Sequence, residues 1–247
     1  MKLLKKIIGY PLTVLYYVVF GLILLVFHPI QWIAYNLFGY QAHKKVVDVF
    51  NWFLVKALLI LGVRVKFNNP YKIPENVPLL IVSNHQGMYD ISPLSWYFRK
   101  YHPKFVSKKE LGKGIPSVSY NLTHGGSVLI DRKNPKQAIP ALINFAKYIE
   151  KNKYSAVIFP EGTRSKTGKP KQFSINGLKT LTKFIPSGYV VPVTINNSYK
   201  ITQNGVFPLN IGVTLTIDTH QPIKISEMDF ETLFLKTEEE VKKAIIL

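Results

Sequence analysis

Hydrophobic positions along this chain follow two grammars. From Ile7 to Phe27 run 21 uncharged residues rich in Leu, Ile, Val and aromatics, and no Lys, Arg, Asp or Glu appears from Ile7 to His43. As a helix the run from Ile7 to Phe27 rises about 31 Å, enough to cross the hydrocarbon of a bilayer. Lys2, Lys5 and Lys6 precede it. A basic start leading into an apolar run also describes a secretory signal, but this run is longer than a signal core and no small-x-small cleavage site follows it. His28-Pro29 predicts a break in the helix, and Ile30 to Tyr40 reads as an interfacial stretch carrying Trp32, Tyr35 and Tyr40. A second helix is predicted over 43–61, where Val46, Val49, Phe50, Phe53, Leu54 and Ala57 recur at helical spacing and Gly62 supplies the stop.

After Gly62 the pattern changes to short β-branched runs alternating with longer amphipathic ones. Strands are predicted at 63–67, 79–83, 104–107, 127–131, 155–159, 190–195 and 213–217, and helices at 91–100, 135–151, 175–184 and 231–246. Such alternation predicts an α/β fold, a mixed and largely parallel sheet sandwiched by helices, with the N-terminal pair as a membrane-associated two-helix motif. The expected division is therefore 1–62 for the motif and 63–247 for an α/β catalytic domain. Reactive groups in such sheets gather just past the carboxyl ends of strands. His85, Arg132 and Glu161 all fall there.

Composition sharpens this. Lys plus Arg number 32 against 14 Asp plus Glu, a formal net charge of +18, which calls for a polyanionic partner. An apolar arm beside basic residues favours an anionic membrane surface. Nucleic acid is disfavoured, because no zinc-finger, helix-turn-helix or aromatic RNA-binding signature accompanies the charge. The chain has no cysteine, which removes disulfides, thiolate nucleophiles and Cys-based metal sites. Its remaining histidines show no metal-ligand spacing, so no metal is expected.

Four blocks carry candidate chemistry. Asn84-His85-Gln86-Gly87-Met88-Tyr89-Asp90 follows an apolar strand, and a histidine oriented by a carboxylate is a general base suited to neutral pH. On one continuous helix the two would stand about 140° apart, so His85 must precede the helix and Asp90 open it, with Gly87 lending the turn its freedom. Asp90 as a simple helix cap is the competing reading. Gly125-Gly126-Ser127-Val128-Leu129-Ile130-Asp131-Arg132 brings a guanidinium to the sheet edge, where its fork suits a phosphate, although an ordinary Asp131–Arg132 pair explains it equally. Phe159-Pro160-Glu161-Gly162-Thr163-Arg164-Ser165 is a tight turn presenting a carboxylate, a hydroxyl and a guanidinium together. There Glu161 would repel a phosphate and so fits better as an organiser of the turn. Val190-Val191-Pro192-Val193-Thr194-Ile195 reads as a core strand whose proline bars full ladder pairing.

Taken in this order and spacing, the four blocks resemble those of the glycerolipid acyltransferases, above all those acting on 1-acylglycerol 3-phosphate. The likeness spans roughly 79–195. It implies His85 as catalytic base with Asp90 as its partner, and Arg132, Glu161, Gly162, Thr163 and Arg164 as the acceptor-phosphate site. Phe105-Val106-Ser107-Lys108-Lys109-Glu110-Leu111 is similar to a further family stretch and adds Lys108 to that site. A lysine common after the third block is missing from Gln172-Phe173-Ser174-Ile175-Asn176-Gly177, leaving Lys171 or Lys179 to substitute.

The resemblance further implies acyl transfer from a thioester, acyl-ACP or acyl-CoA, to the 2-hydroxyl of lysophosphatidic acid, with no cofactor and with acyl carrier protein as a candidate partner. Glycerol 3-phosphate or another lysophospholipid is the alternative acceptor, and a non-catalytic protein binding anionic lipid is the rival from another class. Because activated donors are cytoplasmic, the motif is expected to be monotopic or re-entrant in the cell membrane, with the catalytic domain facing the cytoplasm.

Overall fold

The computed structural model describes residues 2–246. Five-residue β2 (Leu79–Ser83) is buried at every position, as a strand covered on both faces of a sheet must be. It lies at the centre of an eight-stranded sheet with β1 (Arg64–Asn68), β3 (Pro103–Lys108), β4 (Val128–Ile130), β5 (Ser155–Ile158), β6 (Tyr189–Asn196), β7 (Thr214–Thr219) and β8 (Ile223–Lys224). The order is β1-β7-β6-β2-β5-β3-β4, with β8 on β6. All pairings are parallel except β6 with β7 and β6 with β8. The sheet is therefore mixed and largely parallel.

Alternate residues of the central strands feed two cores. Leu79, Ile81, Val157 and Val191 join Leu61, Leu94 and Phe98 on one face; Leu80, Val82, Ala156, Ile158 and Val190 join Phe145, Leu178 and Leu233 on the other. The second face is covered by α4 (Pro135–Asn152), α5 (Ile175–Phe184) and α6 (Phe230–Lys243). Helix α4 starts where the Asn134 side chain accepts from Gln137 N, with Pro135 in its first turn. The first face is covered by α1 (Lys2–Ala57) and α2 (Ile91–Tyr97).

Two predicted details are corrected. His28-Pro29 does not break the first helix, and the residues after it up to Phe38 are helical rather than an interfacial stretch; the break falls at Gly39, whose φ of 77° suits glycine alone and divides α1 into two helical segments. The helix is braced beside Pro29, where Ser117 Oγ donates to Leu24 O at 2.6 Å and Ser117 N to His28 Nδ1 at 3.1 Å. Those contacts come from α3 and its N-terminal flank (α3, Val118–His124), a seven-residue helix with no periodic signal in its sequence. At its other end α1 passes into a 3-10 turn over Leu58–Leu61 and stops at left-handed Gly62, as expected. Pro192 sits inside β6 without loss: its carbonyl, and so its missing N–H, faces the gap between β7 and β8, where His220 N donates to Pro192 O at 3.0 Å.

Candidate active site

Parallel β2, β3, β4 and β5 end on the same edge, and the residues after them form one cluster. Asn84 pins the end of β2 to β6, with its amide donating to Ile195 O at 2.8 Å and accepting from Ile195 N at 2.7 Å. His85 follows. Its Nδ1 meets Asp90 Oδ2 at 2.7 Å, which assigns the proton to Nδ1 and leaves Nε2 as a lone-pair acceptor. The same Oδ2 accepts from Gln86 N at 2.7 Å and Gly87 N at 2.9 Å. Asp90 is fully buried and bonds backwards into the turn instead of capping α2. The capping alternative thus fails, while the His85–Asp90 pairing is formed.

Gly87 serves a different purpose from the one its sequence suggests. Its φ of −162° is extended backbone open to any residue. What favours glycine is room, since a Cβ would stand 2.9 Å from Ser198 Oγ and that hydroxyl would have to turn away.

The His85 ring stacks on Phe159, centroids 4.1 Å apart, and Ser165 N donates to His85 O at 2.7 Å. The turn after β5 therefore grips the histidine from both sides. Glu161 completes the grip: Oε1 accepts from His85 N at 3.1 Å and Oε2 from Lys171 N at 3.3 Å. Burial raises the Glu161 carboxyl above the usual range, and these two N–H donors oppose the rise. Lys171 Nζ donates to Arg164 O at 3.1 Å, whereas Lys179 lies against Glu231 and Phe230 on the surface. Arg132 donates to Gly162 O rather than pairing with Asp131, whose carboxylate accepts from Lys133 N.

A cavity of about 590 Å³ unites these groups. His85, Lys108, Arg132, Thr163 and Arg164 line one part of it, together with Lys166, a cation the sequence had not singled out. Asp90, Glu161 and Gly162 do not line it; they hold the residues that do. The rest is apolar: Phe20, Phe50 and Leu54 of α1 and Leu58 of the 3-10 turn line it together with Phe105, Ile115 and Leu122. The cavity is thus lined by cations and by hydrocarbon side chains, with the His85 imidazole among them.

The family sequence model described as Acyltransferase matches residues 64–196, more than half of the chain. The chain belongs to the acyltransferase family. Among relatives of this acyltransferase, the 1-acyl-sn-glycerol-3-phosphate acyltransferase of Helicobacter pylori is 37% identical over 125 residues, covering 49% of this chain and 50% of that one. Its match thus spans about half of that protein's length. The Borreliella burgdorferi protein of the same name is 28% identical over 181 residues, covering 72% and 70%. The crystal structure of the Thermotoga maritima 1-acyl-sn-glycerophosphate acyltransferase PlsC superposes with a TM-score of 0.78 at 23% identity over 99% of this acyltransferase and 96% of that chain. At that identity the likeness establishes a shared fold, and it extends through the N-terminal helix.

Proposed function

We propose that this acyltransferase is membrane-associated and moves a fatty acyl group from a thioester to the 2-hydroxyl of 1-acylglycerol 3-phosphate, giving phosphatidic acid. One observation carries the reading: the free face of a carboxylate-held imidazole opens into the same cavity as Lys108, Arg132 and Arg164 at one side and an apolar channel at the other. The cations suit a phosphate and fix the hydroxyl beside His85; the channel suits an acyl chain. The names of the two curated relatives agree with this acceptor.

In the step that follows from this geometry, His85 Nε2 takes the proton of the acceptor hydroxyl as its oxygen bonds to the thioester carbonyl carbon. The tetrahedral oxyanion then collapses, the C–S bond breaks, and the thiolate receives the proton back from His85. A positioned base contributes about 10²–10⁴-fold in rate. The donor is acyl-ACP or acyl-CoA, both anionic and both compatible with a chain of net charge +18. No cofactor is required by this step.

The site faces the cytoplasm in this reading, with α1 lying in one leaflet. Helix α1 is fastened along its length to the catalytic body: Thr13 to Leu209, Tyr17 to Val206, Leu24 to Ser117, Asn36 to Tyr120 and Tyr40 to His102. A helix so attached cannot stand along the bilayer normal without drawing the charged body in after it. Its other face exposes Leu15, Val18, Leu22, Leu25, Trp32 and Phe38, the apolar stripe of an interfacial helix.

Purified enzyme supplied with each donor and with either 1-acylglycerol 3-phosphate or glycerol 3-phosphate tests the reaction. His85→Ala is expected to lose transfer while still binding lysophosphatidate in vesicles; residual turnover within tenfold of the parent removes His85 as the base. Acylation of glycerol 3-phosphate alone removes the acceptor.

A further inference from the structure

Residues 202–212, between the 3-10 turn Ser198–Ile201 and β7, take no part in the cavity. They nonetheless present two apolar side chains outward, with Val206 at 68% exposure and Phe207 at 52%. An exposed Val-Phe tip on a charged domain has a large hydration cost unless something covers it.

This loop is tied to the membrane-facing helix. Tyr17 Oη donates to Val206 O at 2.6 Å, and Leu209 N donates to Thr13 Oγ1 at 2.9 Å. The Phe207 ring meets the Tyr10 ring edge-on at 5.4 Å. Gly9 makes the approach possible, because a Cβ there would stand 3.3 Å from Leu209 O. Tyr10, Val14 and Tyr17 recur at i, i+4 and i+7, an exposed stripe beside the packed stripe of Gly9, Thr13 and Tyr16. Val206 and Phe207 therefore widen the lipid-facing surface of α1 sideways, on a segment belonging to the catalytic body.

We propose that the Val206–Phe207 loop is a second membrane-inserting element, seated in the same anionic bilayer as the exposed stripe of α1. The proposal rests on the membrane reading of α1 given above. Three features favour lipid as the occupant. The loop is continuous with an apolar stripe running from Leu3 to Phe38. Lys6 lies four residues before Tyr10, about 6 Å along the axis, at the level where headgroups would meet it. The carbonyl of Val206 and the N–H groups of Gly205 and Leu209 are already bonded within the protein, so the tip enters hydrocarbon with those polar groups satisfied.

The consequence is orientation. A single interfacial helix is free to roll about its own axis, whereas a second contact displaced from that axis fixes the roll and with it the direction in which the cavity faces. Fixing the roll sets where Arg132 and Arg164 stand relative to the headgroups.

The absence of cysteine makes the test direct. Val206→Cys, Leu15→Cys and Lys151→Cys are each labelled with an environment-sensitive nitrobenzoxadiazole and mixed with phosphatidylglycerol–phosphatidylethanolamine vesicles. Labels at 206 and 15 are expected to shift to the blue and brighten, and the label at 151, on α4 across the sheet, to stay unchanged. A shift at 15 without one at 206 overturns the loop proposal and leaves the membrane reading intact; no shift at either overturns both. As an independent measure, Val206→Ser with Phe207→Ser is expected to weaken vesicle partitioning roughly tenfold, while Val206→Ile with Phe207→Leu retains it. An unchanged partition of the serine pair, with an unchanged unfolding midpoint, refutes the proposal.

Discussion

A single oxygen, Asp90 Oδ2, holds the imidazole and two backbone N–H groups at once. Orientation of the His85 ring, the base in the proposed reaction, and the shape of its loop therefore depend on the same atom. Asp90→Asn, nearly isosteric, is expected to lower kcat by about 10²–10⁴-fold, because an amide cannot both accept from the backbone and fix the same tautomer. The KM for the acceptor should stay near its parent value, since the phosphate-side cations are untouched; steady-state kinetics with lysophosphatidate decide it, and a kcat within tenfold of the parent refutes the orienting role. The neighbouring crowding gives a second prediction. Gly87→Ala should destabilise the fold by about 1–3 kcal/mol through overpacking on Ser198, and adding Ser198→Ala should restore much of that loss. Denaturant unfolding of the four proteins in the cycle measures it, and strict additivity rules the contact out. Of this site, spacing offered the His85–Asp90 pairing, because both ends lie in one turn, but left it beside the helix-cap reading until the other blocks were taken with it. Phe159 and Ser165 were not legible, since each reaches His85 from more than 70 positions away, and neither was the tie of Asn84 to Ile195, 111 positions on; nothing local marks such contacts. Gly87 was legible as necessary but for the wrong reason: a sequence shows that a Cβ is missing without showing what stands where it would be.

At the scale of elements, β3 carries an unusual burden. Lys104 is 5% exposed, with its ammonium 4.8 Å from the Tyr40 ring and 5.5 Å from the Tyr154 ring. Burial, aided by Lys44 and opposed by Asp48, lowers its pKa from the ordinary 10.5 to about 7. Facing it, burial holds His43 and His102 down at about 4, so neither titrates above pH 6. Between pH 7 and 10.5 the unfolded chain binds the Lys104 proton more tightly than the folded one, so this residue makes stability rise with pH across that window. Below pH 7 its charge burial is borne in full. Lys104→Met should therefore raise the unfolding midpoint most at pH 6 and by less at pH 9; an equal gain at both pH values refutes the assignment. Strand positions were well marked in the sequence, as β-branched runs bounded by turn residues leave little ambiguity. The bend of α1 was not, because Pro29 is a strong local signal for a break and its rescue comes from Ser117, 88 positions later. Gly39, the true bend, carried a weaker signal: the glycine that the left-handed φ requires.

Across the whole molecule, the membrane arm and the catalytic body form one unit. Tyr16 and half-buried Phe20 and Ile23 of α1 pack into the core that also holds Leu79 and Ile81 of the central strand. A helix lying in one leaflet keeps both ends of the chain on the same side. In sealed inverted vesicles an added protease should therefore reach a C-terminal tag, and protection of that tag would overturn the in-plane topology. The mixed, largely parallel sheet between helices followed from the alternating pattern, while its strand order and the placement of α1 against the body did not, since the exposed and protein-facing stripes of α1 are equally apolar and read alike. That arrangement has an evolutionary cost. Tyr16, Phe20, Phe50 and Leu54 wall the cavity from the same arm, α1, whose opposite side is apolar and exposed. Under the proposed reaction and bilayer seating, a lineage that retunes this arm for a thicker or more fluid bilayer changes the mould in which its acyl substrates are cast, so that adaptation of the membrane and the choice of fatty acids built into it are inherited together.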